Sequence, residues 1–124
     1  MKKQNPVVTY YHSSDAVRDI ASAAGFISKA ALHPDIDAHY ISLRDLTHRS
    51  DEGNTSVQLN VPVSAEDIIK EVEKRDIDRI FMMCVCNGIK TGIGVDLSDY
   101  RIAVSVPKGV DDVAEKVFDT IIQS

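Results

Sequence analysis

The stretch "FMMCVCNGIKTGIG", residues 81–94, brings both cysteines of this chain next to a loop of three glycines and a lysine. Cys84 and Cys86 are two apart. On a strand they point to one face together with Met82. Thiolates so placed can bind a soft metal, or one of them can act as a nucleophile beside a histidine. A structural zinc site needs four ligands in two close pairs, and the chain has no second cysteine pair and no H-x3-H among its four histidines. The other use of the two thiols is as small buried hydrophobes, and no metal or other cofactor is expected.

"NGIKTGIG" offers a different chemistry. Gly88 and Gly92 allow backbone amides to approach an anion, Lys90 supplies charge, and Asn87 and Thr91 can orient it. The Walker pattern fails because Ile89 precedes Lys90 and no helix start follows the glycines. The same residues also fit plain turn chemistry, with Asn87-Gly88 as a hairpin and Gly92 and Gly94 marking a bulge. A third group, His12, His48, Asp99 and Tyr100, can do acid–base work if the fold gathers it at one sheet edge. Solvated strand ends are the alternative for that group.

These residues need elements to hold them. "PVVTYYH" reads as a first strand, and Ser13-Ser14-Asp15 as helix caps. Apolar positions at helical spacing then run from Asp15 to about Leu32, ended by "HPDID". "AHYISLRDLTHR" is a second strand whose phase changes between Leu43 and Leu46, which predicts a bulge or an early end. "TSVQLNVPV" is a third, with clean alternation, followed by a helix opened by Ser64 and Asp67. "RIFMMCVC" does not alternate, so it is expected to be central and buried on both faces. Strands "TGIGVDL" and "YRIAVSV" pair around Ser98-Asp99, and a helix closes the chain.

The order β-α-β-β-α-β followed by β-β-α predicts one α+β domain over residues 1–124, a two-layer sandwich with a split βαβ, ferredoxin-like start. Its helices cover one sheet face and leave the other open. That open face, with an apolar centre, argues for a homo-oligomer, a dimer being the commonest form.

Composition bounds the function. The chain has 124 residues, 44% hydrophobic and 27% charged, as an ordinary globular domain has. A net charge of −5 with scattered basic residues disfavours nucleic acid as a partner. No apolar run suits a membrane span or signal peptide, and the two close cysteines suit a reducing cytoplasm. The leading expectation is a small cytoplasmic oligomeric binding module for an anionic ligand, a nucleotide or phosphorylated metabolite, in a regulatory or sequestering role. The alternatives are an enzyme built on the His/Asp/Tyr group or on a cysteine at the sheet edge, and a structural or protein-interaction subunit.

Overall fold

The structure, a computed structural model, describes residues 6–13, 15–50, 53–61 and 63–123, the side chains of 45–50 and 53–56 excepted. The elements run β1 (Val7–His12), α1 (Ile20–Leu32), β2 (Ile36–Ser50), β3 (Gly53–Asn60), α2 (Ala65–Lys74), β4 (Ile77–Cys86), β5 (Ile89–Asp96), β6 (Arg101–Pro107) and α3 (Asp111–Gln123). The protein is α+β, with six strands in one antiparallel sheet of order β1-β6-β5-β4-β2-β3.

Two tight turns decide that order. Asn87 and Gly88 take φ values of 54° and 75°, the left-handed pair that a two-residue hairpin matching strand twist requires. The second turn brings Asp96 opposite Arg101, and Tyr100 absorbs its positive φ of 54°. Strands β4, β5 and β6 therefore form a meander, and the expected ferredoxin-like order, with the first strand inside the sheet, is not the one formed. β5 takes the edge of β4, so β1 is displaced to the far side of β6. One split βαβ unit does form: β3 and β4 run parallel, joined through α2, with β2 and not β1 between them.

The helices share one layer, α1 lying between α2 and α3. Asp19 caps α1, later than the Ser13–Asp15 start expected, because its carboxylate accepts from the Ser22 amide at 2.8 Å while the Ser22 hydroxyl accepts from the Asp19 amide at 3.0 Å. That reciprocal pair satisfies two of the amides a helix start exposes. The Ser14 part of the expected cap lies outside the described residues. Ser64 caps α2 as expected, accepting from the Asp67 amide at 3.2 Å. In β2 the pairing with β4 slips between Ala38 and Tyr40, which leaves His39 as the extra residue of a bulge, and again between Arg44 and Asp45, where the phase change lies.

Beneath the helices lie Ile80, Met82 and Cys84 of β4, Ile93 and Val95 of β5, and Ile102 and Val104 of β6, all fully buried. β4 is interior as expected, yet not buried on both faces. Its burial alternates, and Phe81, Met83 and Val85 are half-exposed on the uncovered side. Because every side chain from Ile80 to Cys86 is apolar, the alternation that the packing imposes there has no counterpart in the residue types.

Candidate functional site

The uncovered face is where space and chemistry coincide. Met83 stands opposite Gly92, Phe81 opposite Gly94, and Gly92 opposite Ser105. A methyl group on Gly92 would lie 2.4 Å from the tip carbon Cζ of Phe81, and one on Gly94 would lie 3.5 Å from ring carbon Cδ1. The Phe81 ring is therefore laid diagonally across β5, filling the room that two absent side chains leave. Here the glycines serve close approach. The β4–β5 register runs unbroken through both, so neither marks the bulge that was the other reading of them.

Beside the ring a cleft of about 600 Å³ opens, lined by Val7, Phe81, Met83, Lys90, Gly92, Ser105 and Pro107, with Thr91 and Val106 contributing. That volume suits a small molecule. Val7, Phe81, Met83 and Pro107 make its walls apolar, the Ser105 hydroxyl is hydrogen-bonded to that of Thr9 at 2.9 Å, and among the described lining residues Lys90 alone is charged. On the far side of Phe81 a smaller depression meets Tyr11, Arg79 and Asp96. Burial alone would raise the Asp96 carboxyl, but the Ser98 hydroxyl and amide, with Arg79 and Arg101, hold it below its ordinary value.

The five loop candidates divide between the two sides of the sheet. Lys90, Thr91 and Gly92 belong to β5, and from Gly92 onward that strand is paired on both edges, so its backbone is spent on the ladder. Thr91 is 1% exposed and its hydroxyl donates to the Ile89 carbonyl at 2.9 Å, which turns it away from any ligand. Gly88 sits at the exposed turn. Asn87 lines another depression on the helical side, with Asp35, Cys86, Lys116, Asp119 and Thr120. No cradle of converging amides forms. Lys90 and Gly92 instead become the charge and the floor of the cleft. Sequence reading missed Phe81, Met83 and Val7 as lining residues, and the one signal for them was Gly92 and Gly94 spaced to face the same way as Phe81.

The acid–base group is brought together in part. His12 ends β1 with its ring 5.0 Å from that of Phe118, and Asp99, Tyr100 and Arg101 lie at the same end of the sheet. Arg101 Nε is 2.9 Å from Asp99 Oδ2 without the alignment of a hydrogen bond, and the guanidinium carbon sits 4.4 Å from the centre of the Tyr11 ring. His48 is not in this group. It belongs to β2, four strand positions from β1 and so ~19 Å away across the sheet, and its side chain is outside the described part.

Cys84 and Cys86 are free thiols on the helix-covered face. Burial, with smaller contributions from Cys86 and Asp37, pushes the Cys84 thiol up to about 12. Burial and Asp35 raise Cys86 as well, against the pull of Lys116. A protonated thiol in an apolar layer is a poor nucleophile and a poor metal ligand. Among the described residues no three His, Cys, Asp or Glu side chains gather as a metal site, and no helix is long and apolar enough to cross a membrane. The chain matches no family model, no curated protein and no solved structure.

Proposed function

We propose that the chain is a cytoplasmic, homo-oligomeric binding module whose uncovered sheet face takes a small flat anion, of which a nucleotide is the best-fitting class, in a sequestering or regulatory role. One observation carries this reading: the cleft over Gly92 combines an aromatic wall, apolar side chains and a single ammonium. A planar base fits against Phe81 and Met83, whose ring and thioether favour flat, polarisable partners. A phosphate or carboxylate then reaches Lys90. The enzymatic alternative draws less from the geometry, since His12 faces Phe118, Asp99 is engaged by Arg101 and the thiols are buried.

Calorimetric titration with AMP, and with the flat sulfonate anilinonaphthalene sulfonate, tests the site. Lys90→Ala should weaken both by about 5- to 10-fold, the size of one charge-assisted contact, while Lys90→Arg retains most of the affinity. Lys90 is exposed, so the melting temperature of either variant should match that of the parent. No binding of either probe at millimolar concentration, or an affinity indifferent to Lys90→Ala, overturns the reading.

A further inference from the structure

Among the described residues β1 is the last strand of the sheet and pairs with β6 alone. Natural edge strands are guarded by charges, prolines, bulges or brevity, because their free N–H and C=O groups invite another chain. Residues 7–12, "VVTYYH", have no Lys, Arg, Asp, Glu or Pro, and their register with β6 is unbroken. Val7 and Tyr11 on this strand are 64% and 50% exposed and share its uncovered face with Thr9.

The direction of the free groups follows from one hydrogen bond. The Lys108 amide donates to the Pro6 carbonyl at 2.9 Å, which makes Pro6 and Lys108 a hydrogen-bonded pair. Alternation along an antiparallel ladder then turns the backbone groups of Val8, Tyr10 and His12 toward β6, and those of Val7, Thr9 and Tyr11 outward. Pro107 agrees with this phase: it stands opposite Val7, where the ladder asks for no N–H.

We propose that β1 is a homodimerisation edge, on which a second copy of this chain pairs antiparallel about a two-fold axis through Thr9. In this register Thr9 meets Thr9 of the second copy, Val7 meets Tyr11, and Val8 meets Tyr10. Every outward-facing residue of one strand meets an outward-facing residue of the other, and each such pair exchanges two backbone hydrogen bonds. A shift by two residues in either direction loses one of those pairs, and a shift by one puts uncovered-face side chains opposite helix-face ones. The facing side chains are threonine on threonine and β-branched on aromatic, the combinations that stabilise cross-strand pairs, and no charge opposes another.

This self-match selects a second copy as the occupant. A strand of this length is ~20 Å long, and its pairing buries roughly 500 Å² per copy, below the standard interface. An interface of that size makes the dimer weak and reversible. Because Val7 lines the cleft, Tyr11 of the second copy stands at its rim. That last consequence rests on the proposed ligand site; the dimer does not.

Sedimentation velocity from about 5 to 500 μM, wide enough for a weak small interface, tests the edge. The parent protein should move from monomer to dimer mass across that range. Thr9→Lys, which sets two like charges across the axis, should raise the dissociation constant at least ~10-fold, while lowering the melting temperature of dilute protein by no more than the loss of the exposed Thr9–Ser105 hydrogen bond allows. Thr9→Pro, which removes an outward N–H and leaves the β6 ladder its bonds, should do the same. A parent that stays monomeric throughout, or a dimer indifferent to both substitutions, overturns the proposal. AMP titration of the same samples separates the two readings: dimer without AMP binding rejects the cleft alone, and AMP binding by a permanent monomer rejects the edge alone.

Discussion

The two faces of the sheet are built from the same strands and behave as different materials. On the covered face of β4 and β5, Ile80, Met82, Cys84, Thr91, Ile93 and Val95 are packed beneath helices with essentially no exposure. On the uncovered face of the same strands, Phe81 and Met83 alternate across from Gly92 and Gly94, leaving a floor low enough for a ring and a cleft. Continuous packing on one side, and large residues set beside glycines on the other, teach that the sheet is stabilised from one face and shaped for contact on the other.

That contrast is sharpest in truncation. Ile93→Ala empties a fully buried site under the helical layer and should cost about 2–5 kcal/mol. Met83→Ala, half-exposed on the opposite face, should cost under about 1 kcal/mol, since it leaves a dent open to water and no cavity. Urea denaturation of both variants measures the difference, and equal losses would mean that the uncovered face is buried in solution.

The glycines divide the uncovered face further. A methyl on Gly94 meets the Ile80 carbonyl oxygen at 2.8 Å, so the ladder itself must shift, at a cost of about 1–3 kcal/mol. A methyl on Gly92 meets only the tip of the Phe81 ring. The ring can swing away, so Gly92→Ala should cost under about 1 kcal/mol while altering the near-ultraviolet aromatic signal and weakening AMP. Denaturation and titration together read the two outcomes.

A smaller effect probes the covered face by pH. The folded Cys84 thiol, held up near 12 by burial, keeps its proton where the unfolded thiol loses it. Its contribution is full below the ordinary thiol value and declines as pH rises from about 8.5, approaching ~1.4 kcal/mol per pH unit. Cys84→Ala should flatten that decline, and the native protein should resist Ellman's reagent at pH 8 until it is unfolded. Fast labelling of the native chain would mean that the helical layer opens.

The physical record in the sequence is uneven. The Asn87-Gly88 hairpin, the Ser64 cap, the change of phase in β2 and the pairing of β5 with β6 were legible because each depends on a few adjacent residues. The burial of β4 was not, because a run of seven apolar residues carries no alternation to read. The start of α1 shifted from Ser13–Asp15 to Asp19, since Asp19 and Ser22 close a reciprocal capping box that the earlier run of caps outshone in the sequence. At the candidate site, Lys90 was legible as a charge, whereas Gly92 read as a backbone donor and not as a floor. Phe81, Met83 and Val7 join them only through strand pairing between β4, β5, β6 and β1.

By itself, then, the sequence determined the local pieces: an α+β chain, its turns, its helices, and a β5 whose lysine and glycines stand out. The tertiary structure decided the rest. It put three strands between β1 and β2, parted His48 from His12, enclosed the cysteines and turned an apparent phosphate loop into the floor of a cleft. The reason is range. Turns and caps are set by neighbours in the chain, whereas strand order and burial are set by which distant edges find each other, and two tight turns here gave β4 a different neighbour from the one its pattern suggested.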